Sequence, residues 1–352
     1  MQPVPLEARV RLTDKIRLMR QSVAAAVTEE FFCRHPDWLI RYGERGRLRG
    51  VEDAVFHLDF LAGAIEAGIE APFKDYTRWT AGMLNSRGIA PVFVAENLLQ
   101  VKEALSSHLS EPEVALVAEF IRAGCEAIEA DPVHRKDSEE GDLHLSQSLF
   151  VQALLQGQRK AAATIALEAL SAGHAVLDIY AEVLQAALYD VGRLWAANEI
   201  TVAQEHTATA IAQYVLALLY ERQRPDDTRR GKAVVTGVEG ELHQVGANMV
   251  ADALETDGWD VRFLGTNMPH DGILNVVQEH QADVVGISAT MLFNLPKVRR
   301  LVTEIRQRVG EQPRIYVGGG AFRSAPNLYA EIGADGFAPG VREAIVLVRG
   351  HR

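Results

Sequence analysis

KAVVTGVEGELHQVG, residues 232–246, decides how this chain is read. Its first half, 232–238, is an apolar, valine-rich run with the character of a buried strand. Its second half turns through glycine and opens an amphipathic run that ends near Glu255. A strand that feeds a helix through a short turn begins a βαβ unit. Within the turn sit Glu241, His243 and Gly246, spaced as Glu-x-His-x-x-Gly. A histidine in a turn lies off any apolar helix face, and a neutral imidazole is a good metal ligand. A carboxylate on its other nitrogen fixes the ring and raises its basicity. Taken alone, such a histidine is more often a solvated turn residue.

Downstream the alternation continues. Strand-like runs lie at 233–237, 260–264, 283–288, 314–317 and 336–338, with amphipathic runs near 244–256, 270–280, 295–309 and 325–332 between them. Five strands with helical crossovers predict a flavodoxin-like parallel sheet, covered on both faces. Such sheets bind ligands outside the carboxyl ends of their strands. Two further signals fall at such ends. Ser288-x-Thr290 follows the third strand and Gly318-Gly319-Gly320 the fourth.

Upstream the chain is helical. Runs at 143–155, 159–172, 175–197 and 202–221 show apolar residues at three- and four-residue spacing and predict a four-helix bundle. A break at 198–201 leaves Thr201 as N-cap of the last helix. Polar stretches at 131–142 (DPVHRKDSEEGD) and 222–231 (RQRPDDTRRG) read as linkers. The fold class is therefore α/β plus all-α, with a helical segment at 1–135, a bundle at 142–224 and a five-stranded sheet at 230–352. A length of 352 residues suits two or three domains. The net charge of −11 argues against a nucleic-acid surface spread over the whole protein. The two cysteines, Cys33 and Cys125, have no metal or redox spacing and read as reduced thiols. No signal-peptide core and no bilayer-length apolar run is present, which predicts a cytoplasmic protein without membrane contact.

Taken together, Glu241-x-His243-x-x-Gly246, the 264–269 run LGTNMP, Ser288-x-Thr290 and the triple glycine resemble the cobalamin-binding domain of methionine synthase, corrinoid methyl carriers, mutases and light sensors. The resemblance implies His243 as the lower cobalt ligand. Glu241, where that family usually has aspartate, would be its carboxylate partner. Gly246 would let the chain approach the corrin edge. Ser288 and Thr290 would bond the displaced dimethylbenzimidazole tail, and Gly318, Gly319 and Gly320 would line its slot. In the bundle, WAANEITVAQEH (195–206) resembles the cap of adenosylcobalamin-dependent photoreceptors. That likeness implies Trp195 beside the adenosyl group, with Glu205 and His206 holding it by polar contacts. Other corrinoid caps carry a similar run. The bland alternative makes Trp195 bundle core and Glu205 a helix-start acid favoured by the dipole. Ala196 stands where light-sensing repressors carry a histidine, so no second axial imidazole can come from that position.

Residues 1–135 do not resemble the DNA-binding domain of those repressors. Their pattern, including Arg49-Gly50, His57-Leu58, Trp79 and Arg87-Gly88, suggests a globin-like fold of six to eight helices and resembles the photocobilins. That implies a noncovalent biliverdin site, for which Tyr42, His57, Trp79, Arg78 and Arg87 are the candidates. His57 would be the first ligand if haem bound instead. A helix histidine making one hydrogen bond is the commoner use of such a residue. The whole implies a light sensor rather than an enzyme. It would bind adenosylcobalamin and biliverdin, and light-driven cobalt–carbon cleavage would change its conformation and oligomeric state. The expected partners are a second copy in a light-dependent homodimer and a downstream protein, not nucleic acid. The rivals are a corrinoid methyl carrier serving a methyltransferase, and a non-photic cobalamin sensor.

Overall fold

A computed structural model describes residues 4–130, 143–223, 226–323 and 325–350. The predicted linker at 131–142 lies outside the described residues. The chain forms two compact units, residues 1–134 and 135–352.

The first unit is built of α1 (Leu6–Arg34), α2 (Pro36–Ala67), α3 (Ala71–Asn85), α4 (Pro91–Ser106) and α5 (Glu111–Glu129). Four of these begin with proline in the first turn, where its missing N–H costs nothing. Ser110 and Glu113 close a capping box at the start of α5. α2 breaks at Gly43, whose φ of 58° is not helical. Among the described residues the unit therefore has five helices, one of them kinked, fewer than the six to eight expected from its sequence. Leu12, Ile16, Leu58, Leu61, Ile65, Phe73, Leu98 and Ile121 fill its core. Charge goes in with them, at Arg9 and Glu66. Glu66 is buried, and its carboxylate accepts from Thr13 at 3.2 Å and Arg17 at 2.8 Å.

The second unit opens with the bundle: α6 (His144–Leu155), α7 (Arg159–Ser171), a third rod, and α10 (Val202–Tyr220). The third rod is not the unbroken α-helix expected at 175–197. It runs as α8 (Val176–Asp178), a π-helical stretch (Ile179–Gln185) and α9 (Ala186–Ala196). The π turn points Tyr180 inward, fully buried, where its hydroxyl meets Asp252 Oδ2 at 3.3 Å. Thr201 caps α10 as expected. Its hydroxyl accepts the Gln204 amide at 3.2 Å, and the Gln204 side chain accepts the Thr201 amide at 2.9 Å.

The sheet consists of β1 (Gly231–Gly237), β2 (Trp259–Phe263), β3 (Val284–Ser288), β4 (Arg314–Gly318) and β5 (Gly336–Ala338), all parallel, in the order β2-β1-β3-β4-β5. This is the flavodoxin-like order. The helices α11 (Val245–Thr256), α12 (His270–His280) and α13 (Leu295–Arg308) make the crossovers. Of the run expected at 325–332 only a short helix, α15 (Leu328–Glu331), forms, and another short helix, α14 (Gly320–Arg323), precedes it. A last helix, α16 (Val341–Arg349), was not expected. Bundle and sheet share one core, in which Phe150, Tyr180, Leu184 and Leu216 pack with Ala247, Leu254, Tyr316 and Ile345. Among the described residues, no helix is long and apolar enough to cross a membrane.

The register decides where the motifs meet. Gly237 pairs with Ser288, Ser288 with Gly318, and Gly318 with Ala338. The three sequence motifs therefore leave the sheet side by side along one edge. Removing the cap hydroxyl in Thr201→Ala should lower stability by about 1 kcal/mol. Urea unfolding, followed by circular dichroism, checks it.

Candidate functional site

Beyond β1 the chain turns through Glu239 and Gly240 into the loop that bears His243. Glu241 is fully buried. Its Oε1 lies 2.7 Å from His243 Nδ1 and also accepts the His243 backbone amide at 2.9 Å. Its Oε2 accepts the Thr290 amide at 2.7 Å, the Met291 amide at 3.3 Å and Asn294 Nδ2 at 3.2 Å. Burial by itself would raise this carboxyl group. The hydrogen bonds from the His243 ring, the His243 amide and the Thr290 amide outweigh it and hold the group at about 2. The longer glutamate side chain therefore reaches the imidazole without loss of contact. With Nδ1 held on the carboxylate, Nε2 is the nitrogen left to face a metal, and the His243 side chain is 50% exposed.

What surrounds His243 fits a large planar ligand. Leu242 is 74% exposed beside it, an apolar side chain standing in solvent at the mouth of a polar loop. Gly246 lies in the first turn of α11, and a Cβ there would meet nothing within 4 Å. A helical glycine costs about 1 kcal/mol relative to alanine, and here no neighbouring atom accounts for it. Ser288 and Thr290 are half-buried at the end of β3. The triple glycine has a reason of its own. Gly319 has φ +96°, and a Cβ on it would lie 2.4 Å from the Ala289 carbonyl oxygen. A Cβ on Gly320 would lie 3.0 Å from the Thr290 carbonyl oxygen. These glycines let β4 exit against the Ser288–Thr290 backbone, a requirement that holds with or without a bound tail.

In the bundle, Trp195 is half-buried at the end of α9 and packs against the shared core. Glu205 and His206 stand in the first turn and a half of α10, with Glu205 Oε2 2.6 Å from His206 Nδ1. Thr209 donates to Glu205 Oε1 at 2.9 Å. The His206 side chain is 76% exposed. Gly192, one turn before Trp195, likewise has nothing within 4 Å of a notional Cβ.

With this geometry in place, the chain can be set beside known proteins. Residues 231–346 and 148–220 each match a family model described as a B12 binding domain. The second unit is a cobalamin-binding module. A corrinoid protein of Desulfitobacterium hafniense is 26% identical over 202 residues, 56% of this chain and 92% of that one. Dimethylamine corrinoid protein 2 of Methanosarcina acetivorans is 27% identical over 161 residues, 45% of this chain and 71% of that one. The methionine synthase of Mycobacterium tuberculosis is 28% identical over 148 residues, 41% of this chain but 12% of that enzyme. The solved monomethylamine corrinoid protein of Methanosarcina barkeri shares the fold, with a TM-score of 0.51 at 23% identity, over 59% of this chain and 99% of that one.

The sequence motifs of the module did not include Asn294. It stands at the N-cap position of α13 but makes no cap bond, turning its side-chain amide to Glu241 instead. The sequence signal, an asparagine before Leu-Pro, reads as an ordinary cap. Thr290 serves the lower loop through its backbone amide, a role invisible in residue type.

In the first unit the bilin candidates have local partners. His57 is buried, its Nδ1 lies 2.8 Å from the Tyr76 hydroxyl, and burial lowers the imidazole to about 4. That is a neutral core histidine with a hydrogen bond, the commoner use, rather than an open ligand. Tyr42 packs on Trp38 at 5.3 Å and lies under Arg41. Arg78 pairs with Asp75, and Arg87 donates to the Met83 carbonyl at 2.8 Å. Trp79 is 46% exposed.

The depressed Glu241 carboxyl makes a sign-definite prediction. Its contribution is complete above its ordinary value of 4.5 and is lost as pH falls through about 2. The wild-type protein should lose on the order of 3 kcal/mol from this group across that window. Unfolding measured against pH should show a shallower acid decline in Glu241→Gln.

Proposed function

We propose that the module holds an alkylcobalamin with His243 beneath the cobalt, and that the chain is a light-responsive sensor rather than an enzyme. The observation that carries the cofactor reading is the buried Glu241 carboxylate holding the His243 ring with Nε2 outward. Bound, the group would supply a cobalt–carbon bond that light can break. The chain's part is to orient and cover it. Trp195 offers an apolar indole face to an adenosyl group or to the corrin. Glu205 offers a carboxylate to ribose hydroxyls, and His206 an imidazole from the same first turns of α10. Ala196 offers no donor. Movement of this cap, built into the same core as the sheet, is the natural two-state element, and a light-dependent homodimer and a downstream protein its readout. For the first unit we propose a noncovalent biliverdin, with the half-exposed Trp79 indole and the Arg78 and Arg87 cations as its contacts and His57 as a support through Tyr76.

A specific observation favours a second reading. The relatives include dimethylamine corrinoid proteins and a corrinoid protein matched over 92% of its length. On that reading the module carries methyl groups for a methyltransferase, and Trp195 has no adenosyl group to hold.

Reconstitution in darkness with adenosylcobalamin and biliverdin, then green light, separates them. The sensor reading expects bleaching of the alkylcobalamin bands, a far-red bilin band and a shifted elution volume. Bound but photochemically inert cobalamin, with no bilin band and no change of size, points to the methyl carrier. Trp195→Ala should weaken adenosylcobalamin binding and leave hydroxocobalamin binding nearly unchanged. Equal retention of adenosylcobalamin removes the upper-face assignment. His243→Ala should cost 10–100-fold or more in affinity for either form, on the order seen for weakened metal shells.

A further inference from the structure

The loop that carries His243 is held from outside as well as from within. A ladder joins the end of β1 to the segment after β2. Leu264 N donates to Val235 O at 3.0 Å, Gly237 N to Gly265 O at 3.0 Å and Met268 N to Gly237 O at 3.3 Å. Between the Gly265 and Met268 rungs the chain turns at Asn267, which sits in the left-handed region at φ 59°. The side chain takes over at that point. Asn267 Oδ1 accepts the Gly240 amide at 2.8 Å. Next to Gly240, Lys297 Nζ donates to the Glu239 carbonyl at 2.6 Å. A left-handed non-glycine residue is uncommon, and asparagine is enriched among them. Such a backbone persists where the surroundings over-determine it. Here it places an amide oxygen under the residue that precedes Glu241.

We propose that Asn267 is a positioning residue for the lower metal ligand. Its side-chain carbonyl pins the Gly240 amide and sets the 239–241 turn, so that Glu241 is aimed at His243 before a cofactor arrives. The proposal rests on the reading of His243 as that ligand. Its physical basis is preorganisation. A turn left free would have to be ordered at the moment of binding, and the loss would appear in affinity and in how completely the imidazole replaces the cofactor's own base.

The full-length chain carries the test. Asn267→Gly keeps the left-handed backbone and deletes the acceptor, and Asn267→Asp keeps an acceptor oxygen. Three readouts are compared: titration with hydroxocobalamin, the fraction bound in the histidine-ligated form by its absorption spectrum, and amide hydrogen exchange at Gly240 in the cofactor-free protein. Asn267→Gly should melt as the wild type does. It should bind hydroxocobalamin about tenfold more weakly, show a smaller histidine-ligated fraction and exchange the Gly240 amide faster. Asn267→Asp should restore all three. Wild-type affinity and a wild-type histidine-ligated fraction in Asn267→Gly overturn the proposal, whatever the exchange rate. A wild-type protein that fails to bind hydroxocobalamin, or a His243→Ala variant that binds it with the same spectrum, overturns the lower-ligand reading and this inference with it. Binding lost in His243→Ala but intact in Asn267→Gly removes the positioning role alone.

Discussion

Glu241 keeps a full charge in a place that water does not reach. An ion buried without partners is unstable there, and it stays ionised only if its lone pairs are filled. Its donors come from three places along the chain: the His243 ring and amide from its own loop, the Thr290 and Met291 amides from the end of β3, and the Asn294 side chain from the start of α13. One carboxylate thus stitches the carboxyl end of β1 to that of β3 and orients the imidazole in the same act. The parallel register makes this possible, because it brings Gly237 and Ser288 level at the sheet's edge. Without that alignment the loop after β3 would not present its amides to a side chain from the loop after β1.

The same edge is tied to the bundle by two routes, and both reach the third rod. α11 begins two residues after His243, and Asp252 on its inner face meets Tyr180 on the π turn. Burial raises this Asp252 carboxyl to about 6, so the contact lies close to the neutral range in its charge. The triple glycine leads directly into α14, whose Arg323 lies over the Tyr189 ring at 4.7 Å and donates to its hydroxyl. Tyr189 is on α9, which carries Trp195 in its last turn. Arg342, at the start of α16, adds an ion pair to Asp178 and Glu182 at the head of the rod. The segment that bears Trp195 is therefore in contact with elements that leave both the histidine loop and the glycine turn. The Tyr180–Asp252 contact is buried and the two arginine contacts lie at the surface of the same unit, and a connected set of contacts is the physical requirement for a cap to respond to what sits beneath it.

The strands were legible because buried parallel strands are short, continuous apolar runs closed by turn residues. All five lie within two residues of the positions read from sequence, and the motifs at their ends came with them. Thr201 was legible for a local reason too, since a cap and its Gln204 partner sit three residues apart. The π turn at 179–185 was not, because an extra residue in a helical turn leaves the apolar spacing nearly intact and is settled by where Tyr180 finds Asp252. α16 carries Val341, Ala344, Ile345 and Val348 at helical spacing on its buried side, so its pattern was within reach of the sequence. Asn294 and Asn267 were out of reach. Each reads locally as a cap or turn asparagine, and only the folded sheet shows that their side chains go to the histidine loop.

Glycines separate what the fold requires from what a ligand requires. At Gly319 and Gly320 a side chain would collide with backbone at 2.4 and 3.0 Å, so their presence follows from how β4 passes the end of β3. They would be needed in a sheet of this shape that bound nothing, which is why a triple glycine alone is weak evidence of a slot. Gly246 and Gly192 are the opposite case. Both lie inside helices, where glycine is unfavourable by about 1 kcal/mol, and neither has an atom within 4 Å of where a Cβ would be. Alanine would fit at each and would stabilise its helix. One follows His243 by three residues and the other precedes Trp195 by three. Gly82 in α3 of the first unit is a third such position, but among the described helices of the cobalamin-binding unit the two flank its proposed lower ligand and its proposed cap.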